Sequence, residues 1–190
     1  DFAKAAAVSL NARGFGQEVG WANAWKTALW ARLLDAESAY SYFHKEISAN
    51  AFPNLLNGCW PGRVFQIDAN FGITAGAIEM LLQSHAGEIH LLPALPKAWA
   101  NGSVKGLRAR GGFVVDMKWE SGALSYVKVY SAKGGVCKLN FNGKTVVFDT
   151  KPGMNYSPEP GKNGWISPGN TTYYINPAGG SDDRSGLEKN

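Results

Sequence analysis

Long apolar runs are missing from this chain. No window of its 190 residues approaches the roughly 18 consecutive apolar side chains that a membrane span needs, which excludes a membrane-spanning helix. Cysteine is scarce. Cys59 and Cys137 are too few to staple a chain of this length and do not stand at zinc-site spacing, so they are expected to be two separate buried or half-buried thiols. Histidine is also scarce: none of His44, His85 and His90 has a metal partner at ligand spacing, and no metal or cofactor is expected. A run of one charge sign is lacking as well. The 19 Lys and Arg against 15 Asp and Glu leave a net +4, but they are scattered singly, with Arg108 and Arg110 the tightest pair. Without a basic stripe, nucleic acid is excluded as a partner. The start, Asp1-Phe2-Ala3-Lys4, has no basic segment leading into an apolar one, so no signal peptide is visible. What is present is a globular composition, 45% hydrophobic and 18% charged, enough to build the core of one or two domains.

The hydrophobic period changes near Gly87, from 3.6 before it to 2 after it. In the first part, Phe2 to Asn11 is alanine-rich and free of Gly and Pro, and Gly14, Gly16 and Gly20 punctuate a loop. A helix is predicted from about Trp21 to Leu34, with Trp21, Trp25 and Leu29 on one face and Trp30 and Leu33 widening the stripe. Asp35 suits the N-cap of a second helix whose apolar face is Ala36, Ala39, Tyr40, Phe43 and Ile47. Asn50 to Asn70 reads as a long loop packed against protein, and long ordered loops are often functional. A last helix is predicted from about Phe71 to Ser84. Ile73, Ala77, Met80 and Leu81 share one face, Gly72, Ala75 and Gly76 allow close approach, and Gly87 serves as C-terminal cap.

Beyond Gly87, Phe113, Val115, Met117 and Trp119 alternate with polar or outward residues, and Ser121-Gly122 turns the chain into a strand from Ala123 to Tyr130. A second hairpin joins Val136–Phe141 to Lys144–Phe148 through Asn142-Gly143, the dipeptide type I′ turns prefer because both central residues need positive φ. A short strand-like run spans Thr171 to Ile175. The expected organisation is α+β: a helical unit over residues 1–87, an antiparallel β-sandwich over 88–180, and a disordered polar tail over 181–190. Three sequons, beginning at Asn101, Asn155 and Asn170, would accept glycans on a eukaryotic secretory route, and the expected setting is secreted, extracellular or periplasmic.

The end of the long loop, Phe65-Gln66-Ile67-Asp68-Ala69-Asn70-Phe71-Gly72, sets a carboxylate and two amides among bulky apolar residues at the mouth of a helix. An ionised Asp there needs hydrogen bonds or a function. One reading is that Asp68 or Asn70 caps the following helix. The other is a carboxylate placed to orient a water or a sugar hydroxyl. Glu79 is a possible acid but lies within a helix pattern, and Glu18 sits in the Gly-rich loop, where a solvated role suits it.

Several runs in fixed order resemble glycoside hydrolase family 95, whose members include 1,2-α-L-fucosidases and some α-L-galactosidases. They are Gly20-Trp21 through Trp25-Lys26 to Leu29-Trp30-Ala31-Arg32-Leu33, then Pro53-Asn54-Leu55, Phe65 to Gly72, Thr74 to Ser84, Ile89 to Pro96, and Gly102 to Phe113. The resemblance implies the last helices of a catalytic (α/α)6 barrel followed by a β-sandwich, and inverting cleavage of terminal α-L-fucosyl linkages on a fucosylated oligosaccharide or other plant or host glycan. An inverting hydrolase needs an acid at the leaving oxygen and a group that activates water on the opposite face. By resemblance the acid is a Glu from earlier in the barrel, and the water is held by asparagines made more effective by an Asp. That Asp corresponds to Asp68, and the acid and asparagines belong to motifs upstream of Asp1. Asn70, Trp60 and Arg63 are candidates to bind the sugar. Family members often carry a His shortly before the Phe-Gln-Ile-Asp run; here the stretch Asn57 to Val64 has none, which leaves fucose against L-galactose open.

On this reading the start at Asp1 marks a cut, and the Trp- and Leu-rich helix faces need the missing N-terminal part of the barrel to cover them. The alternative is a non-catalytic carbohydrate-binding or structural sandwich module, with Tyr173, Tyr174 and Trp165 as possible sugar platforms.

Overall fold

The computed structural model describes residues 1–14, 19–59, 64–161 and 164–165. The tail, Glu18, Tyr173, Tyr174, and the strand-like run at Thr171 fall outside them. The chain divides into two compact units, one of residues 1–81 with 92–97, the other of residues 82–91 with 98–190.

In the first unit, α1 (Phe2–Arg13) starts at Asp1, whose carboxylate accepts from the Ala3 N–H at 3.1 Å. Helix α2 (Gly20–Arg32) packs against α3 (Ala36–Asn50) and α4 (Ile67–Leu81). Asp35 caps α3 as expected, accepting from Ser38 N–H at 2.9 Å.

The faces these helices bury differ from those the hydrophobic pattern predicts. On α2 the buried residues are Gly20, Asn23, Ala24, Lys26, Thr27, Trp30 and Ala31, while Trp21 and Trp25 are 46% and 39% exposed. On α3 they are Ala39, Tyr42, Glu46 and Asn50, with Ile47 exposed and Tyr40 and Phe43 half-buried. Two physical reasons act together. The α2–α4 contact is made by small residues: a Cβ at Gly72 would lie 3.0 Å from the Ala24 Cβ, and one at Gly76 would lie 2.8 Å from Thr27 Cγ2. The α2–α3 contact includes buried polar groups joined by hydrogen bonds, since Glu46 Oε2 accepts from Asn23 Nδ2 at 3.1 Å and, within α3, from Asn50 Nδ2 at 2.8 Å. The expected role of Gly72 and Gly76 in close approach holds, whereas Ala75 is exposed.

Gly20 is the tightest point of this unit. A Cβ there would stand 2.6 Å from the Gly58 carbonyl oxygen, 2.7 Å from Ala69 Cβ and 2.8 Å from Glu46 Oε1. Backbone and a hydrogen-bonded carboxylate give way poorly, so Gly20→Ala is expected to lower stability by about 1–3 kcal/mol in a denaturant melt, the usual cost of overpacking. An unchanged midpoint would show that the loop backbone moves aside freely.

Helix α4 ends at Leu81, earlier than the predicted Ser84, because Leu82–Gln83 leave it as strand β1 and pair antiparallel with β2 (Ile89–Leu91). Gly87 has φ +83° but serves the β1–β2 connection rather than a helix cap. After β2 the segment Leu92–Lys97 rejoins the helical unit: Leu92 and Ala94 N–H donate to the carbonyls of Leu81 and Met80, at 2.8 and 3.1 Å.

The second unit holds two four-stranded sheets, ordered β1-β2-β6-β7 and β3-β4-β5-β8. The strands are β3 (Gly102–Ala109), β4 (Phe113–Glu120), β5 (Ala123–Ser131), β6 (Gly135–Phe141), β7 (Lys144–Thr150) and β8 (Met154–Tyr156). Both predicted hairpins form, with Ser121, Gly122, Asn142 and Gly143 all at positive φ as I′ turns require. The alternation in β4 buries Phe113, Val115, Met117 and Trp119. Contacts between the sheets include the Phe148 and Tyr156 rings at 5.5 Å and the buried Ser131–Thr150 hydroxyl pair at 2.9 Å. The sandwich departs from the antiparallel expectation at one point: β2 runs parallel to β6, with Ile89 opposite Leu139. Trp165 lies on the short strand Gly164–Trp165 paired with Pro160–Gly161. Cys137 is buried between the sheets and Cys59 is half-buried, two separate free thiols as expected; burial pushes the Cys137 thiol up to about 12 and keeps it unreactive. No described helix is long and apolar enough to cross a membrane.

Candidate functional site

Helix α4 starts earlier than its hydrophobic pattern suggests. Because it begins at Ile67, Asp68 and Asn70 lie within its first turns and neither is its cap. The capping expectation is therefore corrected for both. Asp68 is exposed, and among the described residues its carboxylate has no hydrogen-bond or ion-pair partner. It stands in the first turn, where the unpaired N–H groups and the helix dipole favour negative charge.

The ground under Asp68 is tied down by side chains and backbone together. The Asn70 amide bridges back to the loop, with Oδ1 accepting from Asn57 N–H and Nδ2 donating to the Leu55 carbonyl, both at 2.8 Å. Gln66, the residue before the helix, donates its N–H to the Asn57 carbonyl at 2.8 Å and accepts the Trp21 N–H on its side-chain oxygen at 2.9 Å. Gly58 N–H donates to the Asn50 carbonyl at 2.9 Å. These bonds lash the end of α3, the loop, the start of α2 and the first turn of α4 into one platform. Exposed apolar side chains surround its rim, with Phe71 72% exposed and Trp21 46%.

Beneath it is a buried polar group that the hydrophobic pattern conceals. Asn23, Glu46 and Asn50 are each 0% exposed, and Asn57 is 2%. Burial raises the Glu46 carboxyl above its ordinary 4.5, against the lowering effect of its bonds from Asn50 and Asn23. Among the described residues, Glu46 Oε1 and the side-chain oxygens of Asn23, Asn50 and Asn57 have no hydrogen-bond partner. Nearby, Lys26 is 5% exposed; its ammonium donates to the Gly14 carbonyl and lies 5.3 Å from the Tyr42 ring centroid. Burial lowers its pKa, and the charges of Arg13 and Lys45 add to that. The signal that could have found this group is a set of polar residues at helical spacing, Asn23, Lys26 and Thr27 on one helix and Glu46 and Asn50 on the next, the latter beside the aromatic stripe.

Of the other candidates, Trp60 and Arg63 fall outside the described residues. Glu79 is half-buried and held by Arg32, whose Nη2 donates to Oε1 at 2.8 Å while Nε donates to Oε2, so it serves as a structural partner of α2. His44 is exposed on α3 and His90 is half-buried in β2, with burial lowering the His90 pKa.

The comparisons with known proteins divide the chain near residue 82, where the structure passes from α4 to β1. Residues 1–81 match the family profile described as "Glycosyl hydrolase family 95 catalytic domain", and residues 83–175 match "Glycoside hydrolase family 95, C-terminal domain". The chain belongs to glycoside hydrolase family 95. It is 37% identical over 169 residues to "Alpha-L-fucosidase 2" of Arabidopsis thaliana, a match covering 83% of this chain and 20% of that protein. It is 36% identical to "Probable alpha-fucosidase A" of Aspergillus oryzae over 73% of this chain and 22% of that protein, and 39% identical to the Aspergillus niger protein of that name over 66% and 18%. The chain thus spans about a fifth of the length of the curated relatives it matches. Asp68 lies within the part that matches the family's catalytic domain.

Proposed function

We propose that this chain is the C-terminal part of an inverting α-L-fucosidase-type hydrolase, with α1 to α4 forming the end of an (α/α)6 barrel. Its substrate is a terminally fucosylated glycan met outside the cytoplasm. Asp68 is the residue it gives to catalysis: its carboxylate polarises a neutral amide that holds the attacking water, while an acid from upstream sequence protonates the leaving oxygen. The observation that carries this reading is an exposed carboxylate without a partner among the described residues, on a hydrogen-bonded platform inside the segment that matches the catalytic domain. Trp60 and Arg63, which lie outside the described residues, are the proposed sugar-binding side chains. Asn70, whose amide is spent on Asn57 and Leu55, serves the substrate by holding the loop beneath it. The exposed faces of Trp21, Trp25 and Phe71 are where upstream barrel helices pack.

The test is release of fucose from an α-1,2-linked oligosaccharide by the chain alone and by the chain joined to upstream family 95 sequence, with an α-L-galactoside in parallel. Activity in the joined form alone is the expected result. Absence of activity on both substrates in a folded joined form would sink the proposal.

A further inference from the structure

The second unit has a cleft of about 360 Å³, at the lower end of the roughly 300–1,000 Å³ usual for small-molecule sites. Three separate segments converge on it: the β1–β2 connection, the β3–β4 turn and strand β6. Each contributes a basic group, His85 from the first, Arg110 from the second and Lys138 from the third, all exposed. Among the described residues, Arg110 and Lys138 have no carboxylate partner.

The one acid lining the cleft makes no ion pair with them among the described residues. Glu88 accepts from Asn140 Nδ2 at 2.6 Å on one carboxylate oxygen and from Thr145 Oγ1 at 3.0 Å on the other, so neutral donors hold it. The turn that presents Arg110 is fixed independently of its side chain, because the Arg110 N–H donates to Ser84 Oγ at 3.1 Å. Gly111 in that turn lies flat against Phe113, where an added Cβ would meet the ring at 2.9 Å. Ile89, Phe113 and Val136 give the cleft an apolar part.

We propose that this cleft binds an acidic sugar unit, whose oxyanion is paired by Arg110 and Lys138. A guanidinium and an ammonium on facing segments suit a carboxylate or a sulfate ester, and Arg can engage either in bidentate fashion. The apolar part takes the C–H face of a pyranose. The hydroxyl hydrogen of Ser84, whose oxygen already accepts from Arg110, and the remaining lone pairs of Glu88 serve ring hydroxyls. The space exceeds what a bare inorganic anion fills. All the residues that line the cleft belong to the second unit, and its occupancy is read out without fucosidase activity.

The experiment is an amide-resolved NMR titration of the 190-residue chain with glucuronic acid, glucose 6-sulfate, glucose and inorganic sulfate at low ionic strength. Saturable shifts centred on Arg110, Gly111 and Lys138 are expected with one of the two charged sugars, at least about tenfold tighter than glucose. Which of the two binds tells carboxylate from sulfate ester. Arg110→Ala with Lys138→Ala should weaken that binding by about tenfold or more, and Lys138→Glu alone should abolish it, both with the dispersed wild-type spectrum retained because the side chains are exposed. Equal shifts with glucose, inorganic sulfate as tight as glucose 6-sulfate, or no saturable shift with either charged sugar would each overturn the proposal.

Discussion

Asp68→Asn is expected to lower fucose release by the joined enzyme by about 10²- to 10⁴-fold while leaving its fold unchanged, the range over which a positioned proton-handling group contributes to rate. Both halves of that expectation come from the same geometry. The carboxylate is exposed and has no partner among the described residues, so the nearly isosteric amide breaks no bond and leaves no orphan. Surface changes of that kind stay within roughly 0.5 kcal/mol. On the proposed mechanism the amide lacks the negative charge that would polarise the water-holding group, so the loss should fall on kcat more than on KM. A variant that keeps wild-type kcat and melts normally would remove Asp68 from the chemistry. A variant that loses activity together with its cooperative melt would make Asp68 a structural residue.

The second large effect belongs to Glu46. Glu46→Ala would strand two buried donors, Asn23 Nδ2 and Asn50 Nδ2, each worth about 1–3 kcal/mol when unsatisfied, so a loss of roughly 2–6 kcal/mol is expected. Glu46→Gln should behave in the opposite sense at neutral pH. Its oxygen can keep the two Asn bonds, and its NH₂ brings a donor where the unbonded neighbours are acceptors. The pH dependence follows from the raised pKa of the folded acid. A folded chain that retains a proton which the unfolded chain releases near 4.5 has this stabilisation in full below that pH, and loses it as pH rises through the folded pKa. Denaturant midpoints across pH 4 to 8 should therefore fall more steeply with pH in the wild type than in Glu46→Gln. Parallel slopes would show that Glu46 is already ionised in the fold or equally solvated in both states.

These two carboxylates mark the edge of what could be read from residues alone. Asp68 was recognisable because it sits in a multi-residue run whose order resembles a family. Its helix boundary was not: the pull of Phe71, Ile73 and Met80 placed the start four residues late, and only the bonds of Gln66 and Asn70 to Asn57 show where the helix begins. Glu46 was hidden because an apolar stripe, Tyr40, Phe43 and Ile47, pointed to the neighbouring face of the same helix. An apolar stripe marks a face that burial favours, but the face chosen also depends on whether a polar one finds partners on another helix. Asn23 answers Glu46 from α2, a match between residues 23 apart in sequence that no local period contains.

Turns, by contrast, are local. Asn142-Gly143 and Ser121-Gly122 carry their positive φ whatever surrounds them, so both hairpins and the burial alternation of β4 were legible in advance. The parallel pairing of β2 with β6 was not, since it joins segments about fifty residues apart through backbone atoms that every residue shares. The cleft at Arg110 belongs with it, because its three basic residues come from segments with no common motif. The sequence by itself determined that helices precede strands, where the hairpins turn and which family the chain belongs to, because backbone preference and residue order are properties of neighbours. Only the tertiary structure decided which helix faces are buried, which carboxylate is held and which is left open, because hydrogen bonding and close approach require partners distant in sequence.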